Sequence, residues 1–190
     1  MLRSSSALAF LLLFALLPGT SLHAQDSAML ARWRINESQS DNTDSKVEKA
    51  LRKAGEKIKS SWFDRRKDKY RGGPADQELY DRFSYDTVLT ITRESSGYVF
   101  EFADNYKARV YTDNRSHSVS LNALESSEDF LEGRWEGQLL KVDMHPRDGG
   151  YAYATYEVKE NGKKLYATYL IKPGSFTEEF ELERVYDRVP

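Results

Sequence analysis

The sequence contains no cysteine, and this absence excludes several classes of protein. No disulfide framework can support the fold, so its stability has to come from a buried core. Thiol catalysis is excluded, and so is a bacterial lipoprotein anchor, which requires a cysteine at the cleavage site. We therefore expect a domain that depends on hydrophobic burial.

Long apolar runs are also scarce. The run from Ala7 to Leu17 has eleven residues, whereas a helix that crosses a bilayer needs roughly 20. It follows Arg3 and precedes a short polar stretch, an order typical of a secretory signal peptide. We expect cleavage between Ala24 and Gln25, a periplasmic or secreted product, and no transmembrane segment in the mature chain.

Signatures of catalysis and of metal binding are few. After the predicted cleavage point the histidines are His117 and His145, and a metal site usually needs three protein ligands. No G-x-S-x-G nucleophile motif is present. We therefore expect no metal, no cofactor and no enzymatic activity, while a hydrolase with dispersed catalytic residues remains an alternative.

Three carboxylates alternate near the C-terminus. Glu179, Glu181 and Glu183 would lie roughly 6.6 Å apart on one face of a strand, a separation that suits glycoside hydrolysis. Phe180 and Leu182 occupy the intervening positions. This alternation favours a solvated outer face for the three glutamates.

Charge is distributed unevenly, although the net charge is only −2. Residues 46–71 carry eleven Lys/Arg and four Asp/Glu. Residues 76–190 carry fourteen Lys/Arg and twenty-two Asp/Glu. A basic patch of this kind suits an anionic partner. For an exported protein that partner is an envelope component, and we expect no nucleic acid. The predicted anion-binding residues are Lys49, Arg52, Lys53, Arg65, Arg66 and Lys67. A merely solvated face is the alternative.

The basic segment contains one predicted helix, from Ser45 to Lys59. Its apolar residues recur at spacings of three and four, which gives one apolar stripe. Ser45 and Glu48 form a capping-box pattern at its start. Residues 60–75 combine basic and aromatic side chains and end in a Gly-Gly-Pro break, so we predict a linker there.

From Asp86 onward the apolar period changes to two, which predicts a series of short strands joined by tight turns. Asn161-Gly162 is the strongest turn signal, because type I′ turns need positive φ at both central residues. We predict a mainly β fold, an antiparallel up-and-down barrel of about 9–10 strands with one N-terminal amphipathic helix. The predicted division is residues 1–24 (signal peptide), 25–75 (first strand, helix and linker) and 76–190 (barrel body).

The stretch ARWRIN, residues 31–36, is predicted to be the first strand of this barrel. In a closed barrel the first and last strands meet, so we expect it to pair antiparallel with the segment from Phe176 to Arg188. Trp33 should then face inward at one end and contact residues drawn from Leu182, Val185 and Tyr186.

Several segments resemble a group of uncharacterised exported bacterial proteins with lipocalin-like barrels. The matching segments are the small-x-Trp-x-aliphatic-Asn start at residue 31, YTDNRSH (Tyr111 to His117), RWEGQLL (Arg134 to Leu140), YEVKENGKKL (Tyr156 to Leu165) and the closing VYDR (Val185 to Arg188). The resemblance implies a lipocalin-like barrel fold, and it identifies no catalytic residues in this chain.

Candidate ligand contacts are aromatic. Tyr98, Phe100 and Phe102 alternate along one strand, and exposed tyrosines on a sheet suit recognition. The predicted ligand-binding set is Tyr98, Phe100, Phe102, His117, Tyr151 and Tyr153. We predict a non-enzymatic binding protein of the bacterial envelope, for an apolar small molecule or an envelope component. The alternative is a structural or inhibitory protein that acts by protein contact through the basic helix.

Overall fold

Two α-helices and nine β-strands form the described part of the chain. The computed structural model describes residues 20–53, 87–103, 105–115, 128–144, 150–174 and 177–190. The helices are α1 (Thr20–Met29) and α2 (Thr43–Lys53), and the strands are β1 (Arg32–Ile35), β2 (Val88–Glu94), β3 (Gly97–Phe102), β4 (Lys107–Tyr111), β5 (Glu128–Glu136), β6 (Leu139–Met144), β7 (Gly150–Lys159), β8 (Lys164–Pro173) and β9 (Phe180–Arg188). Within these residues, neither helix is long and apolar enough to span a bilayer.

The nine strands form a closed barrel in sequence order, with β9 returning to pair with β1. The predicted mainly β barrel is thus confirmed. Eight of the nine neighbouring pairs are antiparallel, and β4 and β5 are parallel. The prediction of antiparallel pairing is wrong at this one pair. A ring with an odd number of strands cannot alternate direction throughout, so one parallel pair is required.

Alternation of side chains determines which face of each strand is buried. Along β7, Ala152, Ala154 and Tyr156 are buried, while Tyr153 is exposed and Glu157 is half-buried on the outer face. This period of two is the geometric period of a β-strand. The inner faces of all nine strands contribute to a single core cluster.

The hairpin predicted at residues 160–163 joins β7 to β8. Glu160, Asn161 and Gly162 have φ values of 52°, 56° and 84°. The last register pair is Lys159 with Lys164, so the loop has four residues rather than two. Glycine is suited to the last of the three positions, because it adopts positive φ without a steric penalty.

Barrel closure follows the prediction made from the first and last strands. β1 pairs antiparallel with β9, with Trp33 opposite Arg188 and Ile35 opposite Tyr186. Trp33 is fully buried and belongs to the same core cluster as Leu182 and Tyr186. The Arg188 guanidinium lies 5.2 Å from the centre of the Trp33 ring. Trp33 therefore anchors the seam of the barrel.

Helix α2 begins two residues before the predicted start. The Asn42 side chain accepts a hydrogen bond from the backbone N–H of Ser45 at 3.0 Å, so Asn42 rather than Ser45 is the N-cap. Val47 and Ala50 are buried, as the apolar stripe predicted, and α2 contacts β9. The predicted continuation of this helix and the linker, residues 54–75, lie outside the described residues.

Helix α1 was not expected and corrects the prediction of a single helix. Met29 is fully buried, and its carbonyl accepts a hydrogen bond from Trp33 Nε1 at 3.0 Å. Gln25 Nε2 donates to the Val158 carbonyl at 2.9 Å. Helix α1 therefore lies against the end of the barrel where β1 begins and β9 ends, called the α1 end below. Residues 1–19 lie outside the described residues, and cleavage after Ala24 stays a prediction.

Candidate binding site

Three aromatic side chains of β3 follow one another on the inner face of the barrel. Tyr98 and Phe100 are buried, and Phe102 is half-buried. The Phe100 ring meets Tyr156 edge-on at 5.0 Å between centroids, and Tyr156 meets Tyr169 edge-on at 6.0 Å. All three β3 residues therefore face the interior of the barrel.

A polar network joins α1 to the barrel at the α1 end. The Tyr98 hydroxyl donates a hydrogen bond to Asp26 and accepts one from Trp135 Nε1 at 3.0 Å. Arg93 forms an ion pair with Asp26. Burial, and then the hydrogen bond to Asp26, raise the pKa of Tyr98 to about 12. The network holds α1 in place with side chains from three strands.

This raised pKa predicts an alkaline loss of stability. An unfolded tyrosine ionises near pH 10, whereas Tyr98 in the folded protein holds its proton until about pH 12. The stabilising contribution is therefore complete below about pH 10 and is lost as the pH rises to about 12. We expect the melting temperature, followed by circular dichroism, to fall across this range. The melting temperature of Tyr98→Phe should fall less steeply over the same pH range. If the melting temperatures of the two proteins fall in parallel, the raised pKa of Tyr98 is not the cause.

The opposite end of the barrel, called the α2 end, presents partly exposed apolar side chains. Phe102, Met144 and Phe180, called the rim residues below, pack against the core but are only half-buried. They share this end because β3 and β6 end, and β9 begins, there. The Phe102 ring stacks on Tyr106, with centroids 5.4 Å apart. Half-buried apolar residues are present at the α1 end as well, where they include Leu30 and Trp135.

Arg184 alone is both charged and buried among the residues whose burial is described, and sequence analysis did not identify it. It pairs in register with Ala167, whose side chain is on the inner face. Its guanidinium donates hydrogen bonds to the Asp41 carbonyl and to Thr43 Oγ1. Both acceptors are at the start of α2, so a positive charge lies between the barrel and this helix.

Asp41 connects the start of α2 to β9. Its carboxylate accepts a hydrogen bond from the Glu183 backbone N–H at 2.8 Å and pairs with Lys46 Nζ at 2.8 Å. Burial raises the pKa of Asp41, but the hydrogen bonds from Lys46 and Glu183 outweigh this effect and hold the pKa below its usual value. Asp41 is therefore a charged neighbour of the Arg184 site at neutral pH.

The structure does not bring the predicted ligand-binding residues together. Tyr151 and Tyr153 are on the outer face of β7, where Tyr153 is 40% exposed. The Tyr151 hydroxyl donates to Glu179 at 2.7 Å. His117 lies outside the described residues. Tyr98, Phe100 and Phe102 share the interior, whereas the tyrosine pair belongs to a separate surface.

The predicted anion-binding residues are only partly described. Lys49, Arg52 and Lys53 are exposed on α2, and Lys53 pairs with Glu178 at 3.0 Å. Residues 65–67 lie outside the described residues. Anion binding by this patch stays a prediction.

The alternating carboxylates face solvent. Glu181 and Glu183 are exposed, while Leu182 between them is fully buried, which confirms the outer-face interpretation. Within the part of the chain that the structure describes, no three acidic or histidine side chains are grouped so as to hold a metal ion. His145 is outside that part.

Comparison with known proteins bears on the fold. No protein-family profile and no curated protein matches this chain. The chain is similar to the crystal structure of apo lipid binding protein 8 from Caenorhabditis elegans, with a TM-score of 0.50 and 15% sequence identity. The similarity covers 86% of this chain and 96% of the other. A lipid-binding protein therefore shares this barrel fold.

Proposed function

We propose that this protein is a non-enzymatic binding protein for an amphipathic small molecule. The apolar part of the ligand enters the barrel between the rim residues, and its anionic group lies near Arg184. The observation that carries the proposal is the set of partly exposed apolar side chains at the α2 end. Phe102, Met144 and Phe180 are half-buried there and pack against the core cluster.

The rim residues supply the hydrophobic part of this argument. Covering a Phe or Met side chain that is exposed to water stabilises a complex by up to about 1.5–3 kcal/mol. The rim is continuous with the core cluster, so an apolar chain inserted there meets other apolar side chains. Similarity to the fold of a lipid-binding protein supports the same class of ligand.

Arg184 supplies the polar part. A buried guanidinium is costly unless it is hydrogen-bonded or paired. The Asp41 carbonyl and the Thr43 hydroxyl accept hydrogen bonds from it, and the Asp41 carboxylate is a charged neighbour. A carboxylate or phosphate accepts stronger, charge-assisted hydrogen bonds from a guanidinium. We therefore favour a ligand with one anionic group and one apolar chain.

We further propose that the protein acts after export, in the periplasm or outside the cell. The predicted signal peptide, with its apolar run from Ala7 to Leu17, is the support for this location. An exported carrier of this kind would handle amphipathic molecules of the envelope.

The proposal can be tested with palmitate and hexadecanol, which share an apolar chain and differ in charge. We expect palmitate to bind more tightly than hexadecanol. Arg184→Met should weaken palmitate binding about tenfold, since hydrogen bonds to charged groups contribute about 1.5–3 kcal/mol. Hexadecanol binding should change little, and Arg184→Lys should retain part of the preference. Calorimetric titration measures all three proteins.

A matched pair of apolar variants tests the route into the barrel. Met144→Ala changes the rim, whereas Leu170→Ala changes a half-buried residue on the outer face of β8. Only Met144→Ala should weaken the binding of palmitate and of hexadecanol. Failure of both ligands to bind the wild-type protein, or equal effects of the two variants, would overturn the proposal.

A further inference from the structure

The outer face of β7 and β8 carries a pair of tyrosines. The rings of Tyr151 and Tyr153 lie 5.2 Å apart and are tilted by 45°. Of the large apolar side chains whose burial is described, Tyr153 is the exposed one. The Tyr151 hydroxyl donates a 2.7 Å hydrogen bond to the Glu179 carboxylate. This hydrogen bond fixes the position of one ring of the pair. The pair, called the tyrosine platform below, offers two aromatic faces beside a carboxylate.

A polar recess lies on the same face of the sheet. It has a volume of about 430 Å³. Thr155 and Thr168 are register partners on its floor, and Gln39, Tyr166 and Glu183 are among its lining residues. Thr155 follows Tyr153 by two positions on β7, which is about 7 Å along a strand. The recess therefore continues directly from the tyrosine platform.

We propose that the tyrosine platform and this recess form a binding site for a neutral oligosaccharide. A pyranose ring has an apolar C–H face that packs on an aromatic ring, and hydroxyl groups that both donate and accept hydrogen bonds. The platform provides the aromatic rings, while threonine, glutamine and glutamate side chains provide the polar partners. From Tyr151 to Glu157 the face extends about 20 Å, which suits several linked sugars.

Other ligand classes fit this surface less well. An apolar chain would cover Thr155, Thr168 and Gln39 without satisfying their hydrogen bonds. The charged residues that line the recess are Glu157, Lys159, Glu183 and Arg184, so their charges balance and do not favour a polyanion. Lys159, at the recess, is already paired with Glu157 at 2.8 Å. A neutral, hydroxyl-rich polymer meets neither difficulty.

Calorimetric titration with cellohexaose and hexa-N-acetylchitohexaose tests the proposal. We expect at least one of these neutral hexasaccharides to bind, and glucose to bind far more weakly. Tyr153→Ala should reduce the affinity about tenfold, because the variant loses one ring of the platform. Thr168→Val keeps the side-chain shape but removes a hydroxyl, so it should also weaken binding.

Tyr111→Ala is the matched control, because Tyr111 is a half-buried residue of β4, on the other side of the barrel from β8. It should bind the hexasaccharide as the wild type does. Palmitate binding should be unchanged in Tyr153→Ala, so this site can fail or succeed independently of the barrel interior. Absence of binding by both hexasaccharides, or wild-type affinity in Tyr153→Ala, would overturn the proposal.

Discussion

Trp33→Ala is expected to lower the free energy of unfolding by about 3–5 kcal/mol, a large part of the stability of a single domain. Trp33 is fully buried, donates a hydrogen bond to the Met29 carbonyl and pairs with both β2 and β9 at the seam. The alanine variant loses the packing of the indole and leaves a cavity where the barrel closes. Urea unfolding followed by circular dichroism measures the difference.

Tyr153→Ala is the control for this prediction, because it removes an aromatic ring that is 40% exposed. It should change the unfolding free energy by less than about 1 kcal/mol. Trp62 lies outside the described residues, and its replacement by alanine is predicted to cost little. If Trp33→Ala unfolds at the same urea concentration as these two variants, Trp33 does not anchor the seam.

A chain that begins at Leu30 is expected to be about 2–5 kcal/mol less stable than one that begins at Gln25, by analogy with removal of a buried methionine side chain. The shorter chain lacks Met29, which is fully buried, and Asp26, which contacts Arg93 and Tyr98. It also lacks the carbonyl that accepts the Trp33 hydrogen bond.

The chain that begins at Gln25 serves as the control, since it matches the predicted mature protein and retains all of these contacts. It should melt within a few degrees of a chain that begins at Thr20. Equal melting temperatures for the chains that begin at Gln25 and Leu30 would show that α1 contributes nothing to the barrel. Differential scanning calorimetry of the three chains measures this.

The barrel could be predicted because each strand carries its own signal. Alternation along β7 and β9 indicated which residues face inward, and the requirement that a barrel leave no open edge placed Trp33 beside the last strand. These inferences depend on local periodicity and on one global constraint. Neither depends on the details of side-chain packing.

The parts that the sequence did not predict depend on tertiary contacts. Helix α1 has almost no amphipathic pattern, so its sequence gives little indication of a helix. The helix is held in place by Asp26 and Gln25, which contact strands that are distant in sequence. The Asn42 cap was missed because Ser45 and Glu48 offered a second, plausible capping pattern. The parallel pair β4–β5 follows from the number of strands, which periodicity gives only approximately.

One signal for Arg184 was present in the sequence. Phe180, Leu182 and Tyr186 alternate along β9, and the same period places Arg184 on their face, among apolar residues. A cation that interrupts an inward-facing row is a functional candidate, because burying it costs free energy unless it has partners. The partners at Asp41 and Thr43 were not predictable, since they belong to a segment more than a hundred positions away.

The seam between β1 and β9 also determines the order of folding. Trp33 and Arg188 face each other across the pair, although nearly the whole described chain separates them. Such contacts of large sequence separation form late and slow down folding. During synthesis Trp33 can pair with β2 early, but its second partner strand is missing until β9 has been made. The ring of strands can therefore close only after β9 has been made, and until then β1 and β8 each keep one unpaired edge.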